Sequence, residues 1–315
     1  MPSNQPAHQP EIKLYNTISE FYHVLGIPLA QETEFTIHAI DQFQHYYPER
    51  SPLFRANYYS FVIIKTGRGR YLLDSQTFEI SPSTIYFNNP GHVKGYEIID
   101  AYQGYIITFS EKFLKQYVHE TIFDEFPFLL AESAPPHYLN PAEFEPFVAL
   151  CQQLLAEYLG ASPYKYKILS NLLMVFLLKI KAMFWDHYDP QEEGNHTSAI
   201  VIDFKKNLEA HFRSLVAGTA DQLLQVQDFA QLQGLHPNYF STVIKRKTGK
   251  TVNTWITEKT IAEAQALLLQ SSQSIKEIAF QLAFPEPTHF SRFFKKHTGL
   301  TPGAFRRAHR LGLPT

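Results

Sequence analysis

The chain has 315 residues, 44% of them apolar, which is enough for two packed domains. Its net charge of −2 hides a division: residues 197–315 carry 15 Lys and Arg against 8 Asp and Glu, and residues 1–196 carry 13 against 22. A basic C-terminal part joined to an acidic remainder points to a polyanionic partner for the C-terminal part alone. The longest apolar run, Leu172 to Leu178, ends at Lys179, so no membrane span is expected. The opening residues, Met1 to Pro6, lack the basic-then-apolar layout of a signal peptide. One cysteine, Cys151, allows no internal disulfide, and a reducing cytoplasm is the expected setting.

Residues 1–20 read as a loose, partly helical lead. From Phe35 to Phe109 the pattern is strand-like, beginning with the β-branched and aromatic run Tyr58 to Ile64. Turns are expected at Thr66 to Arg70, at Asp74-Ser75, at Ser81 to Ser83 and at Asn88 to Gly91, before a last pair of strands near Gly95–Ile99 and Gly104–Phe109. Strands at this spacing predict a small antiparallel barrel or jelly roll. Tyr46, Tyr47, Tyr58, Tyr59, Tyr71 and Tyr86 are candidates either for its core or for a ligand pocket.

Helical periodicity starts after Pro141. Phe144, Phe147, Val148, Cys151, Leu154, Leu155 and Tyr158 form one apolar stripe, with Cys151 read as a buried, inert thiol. The stripe is wider than one barrel needs, so part of it is expected to form a two-fold interface. A more apolar helix follows from about Tyr166 to Trp185, and residues 186–197 read as a linker.

The C-terminal part contains a degenerate repeat. Val226-Gln227-Asp228-Phe229-Ala230 recurs as Ile275-Lys276-Glu277-Ile278-Ala279, and the stretch from Phe240-Ser241 to Thr248-Gly249 recurs as Phe290-Ser291 to Thr298-Gly299. Each copy reads as a helix, a tight turn and a second helix. The turns are placed at Gly234 and at Ala283–Glu286, the second helices start at Pro237 and Pro287, and Gly249 and Gly299 suit left-handed caps. Phe240, Val243, Ile244, Phe290, Phe293 and Phe294 are predicted to face inward. Asn238, Ser241, Thr242 and Lys245, with Thr288, Ser291, Arg292 and Lys295, are predicted to face outward. A helix with short polar groups early and basic groups one turn later suits the major groove of a duplex. Arg292 could pair with a guanine, and Glu286 is a rival partner for it. Between the copies, Thr251 to Leu269 reads as one long helix with Trp255, Ile256, Ile261, Ala262, Ala264, Leu267 and Leu268 on its buried face. It would space two readers by one helical turn of DNA, about 34 Å.

Residues 200–310 resemble the DNA-binding domain of the AraC/XylS family. The second copy carries the resemblance: Ile278-Ala279, Phe284, Phe290-Ser291-Arg292, Phe294-Lys295-Lys296, Thr298-Gly299, Thr301-Pro302 and Phe305-Arg306. The resemblance implies base-facing roles for Asn238, Ser241, Thr242, Thr288, Ser291 and Arg292. It implies phosphate contacts for Lys245, Arg246, Lys295 and Lys296. The family usually has Gly where this chain has Ala283, so that turn is expected to be altered.

The N-terminal strands and two helices are similar to the cupin-like regulatory domain of the same family. That likeness implies a pocket for a small organic effector and helices that dimerise. The expected architecture is therefore α+β in two domains: residues 1–190, a cupin-like antiparallel β-barrel with two helices, for effector binding and dimerisation, and residues 197–315, an all-α domain with two helix-turn-helix units joined by a long helix, for DNA. The expected partners are double-stranded DNA, a second copy of the chain, the effector, and RNA polymerase if the chain activates transcription. A metal-dependent cupin enzyme is the rival reading. It needs a close His-x-His, which is absent; His38, His45 and His92 stand alone, and no metal or other cofactor is expected.

Overall fold

The computed structural model describes residues 12–30, 33–43, 50–74, 76–118, 122–130, 135–185 and 196–310. The chain divides into two compact units, residues 1–194 and 195–315.

The first unit opens with β1 (Lys13–Tyr15) and α1 (Ile18–Val24), the latter started by a Thr17–Glu20 capping box. There follow β2 (Phe35–Ala39), β3 (Phe54–Ala56), β4 (Tyr59–Leu73), β5 (Gln76–Ile80), β6 (Thr84–Asn88) and β7 (Lys94–Phe109). Two places where the sequence suggested turns are strand instead. The glycines between Thr66 and Arg70 serve bulges in β4, and β7 runs unbroken through Gly104. Gly104 has φ +152°, and a Cβ there would lie 1.9 Å from the Ile63 carbonyl oxygen, so no side chain fits where the two long strands cross most closely. The Asp74 hairpin is as read, with Asp74 at φ 52° in the left-handed region.

The bulges bend β4 and β7 together, so one sheet folds into two halves. β2 and β6 flank the first half of β4 and the second half of β7. β3 and β5 flank the other ends. The expected barrel is not closed. The sheet path runs β1-β3-β7-β4-β6-β8 and ends at a two-residue strand, β8 (His137–Tyr138), too short to join the two edges.

α2 (Glu111–Phe113) and α3 (Ile122–Glu125) lead to two long helices, α4 (Pro141–Leu159) and α5 (Lys165–Phe184). These cover the outer face of the first half-sheet: Phe61 meets Phe176 at 5.0 Å between ring centroids, and Phe147 meets Phe176 at 5.3 Å. With helices on one face and the folded core on the other, Tyr59 to Ile64 is buried at every position and shows no alternation. Most of the α4 stripe is used here, and only Leu155 and Tyr158 of it stay half-exposed, which leaves little of it for the expected two-fold interface. Phe144, Phe147, Val148, Cys151 and Leu154 are buried inside this unit, and Tyr158 packs on Phe35 and accepts a hydrogen bond from Thr36. Burial holds the Cys151 thiol far above its ordinary pKa, as an inert packing group.

Most of the expected linker lies outside the described residues, and its last two residues already belong to α6 (His196–Val216). α7 (Val226–Leu232) and α8 (Pro237–Thr248) form the first helix-turn-helix. α9 (Val252–Gln270) joins it to the second, α10 (Ile275–Gln281) and α11 (Pro287–Thr298), and α12 (Pro302–Arg310) follows.

The repeat has a physical cause at each matched position. Asp228 and Glu277 accept from the backbone N–H three residues earlier, of Gln225 (2.7 Å) and Ser274 (2.6 Å), and so start α7 and α10. Thr248 and Thr298 donate to the carbonyls of Ile244 and Phe294, both at 2.8 Å, just before the left-handed caps at Gly249 and Gly299.

Ala283 corrects an expectation. Its turn is not altered: Phe284 N–H donates to the Ala279 carbonyl and Ala283 N–H to that of Phe280, both at 2.9 Å, matching Leu235 and Gly234 in the first copy. Both turns are Schellman closures. Gly234 takes φ 65° and Ala283 φ 60°, so the second copy holds the same shape with a side chain where glycine is preferred. Ala283→Gly is therefore expected to stabilise the second copy by about 1 kcal/mol, read from thermal unfolding. No gain would show that Ala283 is relaxed there.

Candidate nucleic-acid interface

The second unit has two apolar cores, and α9 belongs to both. Val252 and Ile256 join Phe204, Phe212, Phe229, Phe240 and Ile244 in one, and Ala264 and Leu268 join Ile278, Phe290, Phe294 and Phe305 in the other. Ala262, expected on the buried face, is exposed between them. Where the cores meet, the buried Lys259 ammonium lies 2.8 Å from Glu209 and 2.6 Å from Glu263, tying α9 to α6. Gln281 donates to the Val216 carbonyl at 2.6 Å, a second tie between α6 and α10. Arg306 spends its guanidinium on the carbonyls of Leu268 (2.9 Å) and Gln273 (2.7 Å), closing the end of α9. Arg306 is therefore a capping group.

With their inner faces fixed, α8 and α11 expose matching stripes. Phe240, Val243 and Ile244 are buried, as are Phe290 and Phe294, while Phe293 is only partly covered, between Phe284 and His297. The exposed residues are Asn238, Tyr239, Thr242, Lys245 and Arg246 on α8, and Thr288, His289, Arg292, Lys295, Lys296 and His297 on α11. Eight of the ten sequence-predicted contact residues lie on these stripes. Ser241 and Ser291 do not, because each is half-buried beside the core. Tyr239 and His289, which the sequence reading missed, lie along one edge of the stripes, with Thr242 and Arg292 at the middle. They directly precede Phe240 and Phe290, so the repeat itself marked them.

The stripes differ in chemistry. On α8, Thr242 donates to the Asn238 carbonyl at 2.8 Å, leaving the Asn238 amide and the Tyr239 hydroxyl as the groups near the helix start. On α11, Thr288 donates to the Glu286 carboxylate at 3.0 Å, and His289 lies 4.0 Å from the same group. Arg292 makes no ion pair with Glu286 or with any other described residue. The carboxylate that competed for it in the sequence is occupied, and Arg292 points a free five-donor fork outward.

Residues 229–308 match the family model of a helix-turn-helix domain, and residues 35–165 match that of the AraC-like ligand binding domain. The chain belongs to the AraC family of transcription regulators. It is 27% identical over 237 residues to the HTH-type transcriptional activator Btr of Bacillus subtilis, covering 74% of this chain and 41% of Btr. It is 23% identical over 254 residues to the arabinose operon regulatory protein of Salmonella typhimurium, covering 78% of this chain and 83% of that protein. Among solved structures it is similar to the C-terminal domain of AraT, a response regulator from Geobacillus stearothermophilus, with a TM-score of 0.32 and 28% identity over 36% of this chain and 88% of that one. The chain spans less than half the length of the first curated relatives it matches, 48% for YobQ of B. subtilis and 41% for Btr.

The other half of this AraC-family chain contains a cavity inside the folded sheet, with a water-accessible volume of about 80 Å³. Tyr58, Tyr71 and Tyr86 line it, with Phe21, Phe54, Tyr96, Tyr102 and Lys94. Tyr59 does not; it stacks on Phe87 and Phe109 on the opposite face. Tyr46, Tyr47 and His45 lie outside the described residues. His38 is buried and bonded to Thr36 at 2.6 Å, and burial lowers its pKa to about 4. His92 is bonded to Asp74 at 2.8 Å. Among the described residues, no group of three or more His, Cys, Asp and Glu gathers where a metal could sit, and no helix is long and apolar enough to cross a membrane.

Proposed function

We propose that this chain is a sequence-specific regulator that reads two adjacent major-groove segments of duplex DNA with α8 and α11, under the control of a small molecule in the N-terminal cavity. Residues 197–315 bind DNA in this reading, and residues 1–190 hold the effector. The observation that carries it is the pair of matched exposed stripes, each polar at its start and doubly basic at its end, on two helices held by one shared helix. Helix starts meet base edges, and Lys245, Arg246, Lys295 and Lys296 meet phosphates. Binding of the full chain to duplexes selected from random DNA is expected to weaken steeply with salt, with a slope of log affinity against log salt of about −4 if those four cations each meet one phosphate. A slope near zero would remove the nucleic-acid role.

The chain acts as a homodimer in this reading, but not through the α4 stripe. The outer face of α5 leaves Ile168, Val175 and Leu178 exposed on the unit that carries the effector cavity, and a second copy would cover them. Sedimentation is expected to give twice the 36.4 kDa chain mass; a monomer at working concentration would exclude it.

A further inference from the structure

Resting on the reading that the cavity holds an effector, we propose that this effector is a small organic anion, a short-chain monocarboxylate sized to a cavity of about 80 Å³, whose carboxylate meets Lys94. Lys94 is the only charged residue among the described residues lining the cavity, and it is 2% exposed. Its ammonium donates to the Asn89 carbonyl at 3.0 Å and forms no ion pair among the described residues. An ammonium has three protons to donate, and an unpaired one is costly to bury. Asp74, the one carboxylate that acts on it, is already bonded to the His92 ring (2.8 Å) and the Val93 N–H (3.0 Å). Arg55, from β3, also feels Asp74 and donates to the Gly91 carbonyl.

The remaining wall is mostly aromatic and aliphatic, and two of its polar groups also lack a partner. The hydroxyls of Tyr58 and Tyr102 are buried with no hydrogen-bond partner. By contrast, the polar groups of Tyr71, Asn88 and Ser60 satisfy one another: Tyr71 donates to Asn88, and Asn88 donates to Ser60 at 2.9 Å. A neutral apolar ligand would leave the ammonium without a counter-charge and both hydroxyls without partners. A carboxylate would supply the counter-charge that the ammonium lacks and an acceptor oxygen for a hydroxyl.

Burial lowers the Lys94 pKa to about 7. A bound anion favours the charged form and raises that value, so above pH 7 binding must draw a proton from solution. The other titratable groups around Lys94 are Asp74, His92, Arg55 and the cavity tyrosines; burial raises Tyr58, Tyr71, Tyr96 and Tyr102, so they stay neutral at pH 8.

The test is calorimetry on the full chain with acetate, propionate and butyrate, each against its amide, at pH 8 in two buffers of different ionisation enthalpy. At least one carboxylate is expected to bind about 10–100-fold more tightly than its amide, taking up close to one proton. Lys94→Met should retain the fold by circular dichroism, bind acid and amide alike, and take up no proton. Amides that bind as tightly as the acids, or a preference that survives in Lys94→Met, would overturn the anion and leave the effector cavity standing. Failure of every acid and amide to bind would overturn both.

Discussion

Phe290→Ala is expected to unfold the second helix-turn-helix and leave the first one folded. Phe290 is fully buried, in contact with Phe284 and Phe294, in a core with only eight buried residues. Truncating a buried Phe costs about 3–5 kcal/mol, and a core this small has little else to fill the space. The first core is built from α6, α7, α8 and the opening turns of α9; it shares no buried side chain with the second, and only the half-buried Ala283 of the second copy packs against it. Hydrogen exchange should therefore show lost protection in α10, α11 and the end of α9, with α7 and α8 still protected. Equal loss in all of them would mean that α9 and the Lys259 ion pairs weld the two cores into one cooperative unit.

The second large effect concerns DNA sequence preference. Arg292→Ala is expected to relax the preferred base at one or two adjacent positions, at a cost of about 1–3 kcal/mol in discrimination, because a bidentate guanine contact is lost. Lys295→Ala, one turn nearer the left-handed cap at Gly299, should weaken all sequences alike and reduce the salt slope by about one. Arg292 is exposed and free of carboxylates, so its removal leaves nothing in the protein unpaired. Selection from random DNA with wild type and both variants reads the difference. An unchanged preference in Arg292→Ala would take it out of base readout and leave His289 and the α8 stripe to carry the specificity.

Much of the second unit was legible because its signals are local. The long joining helix, both glycine caps, the proline starts and the inward phenylalanines follow from short-range backbone and periodicity rules. Ser241 and Ser291 are only half-exposed because both sit at the edge of the stripe, where one side-chain direction decides exposure and the 3.6-residue period is too coarse to tell. In the first unit, strand existence was legible but strand continuity was not. Gly67 and Gly104 are equally good turn residues and bulge residues, and only the pairing of β4 with β7 chooses between them. Lys94 had no signal at all. It follows a turn and begins a strand, where lysine is ordinary, and its burial comes from partners far along the chain.

The helix shared by the two cores also sets a phase. One residue inserted into α9 beside Ala262 would advance everything after it by 1.5 Å and rotate it by about 100°. The α11 stripe would then look away from the groove that α8 enters, although each half could remain folded on its own core. In the proposed reading the distance between the two DNA segments is thus an integer written into one helix. Drift in operator spacing would have to be met by bending the DNA or by recruiting the other protomer.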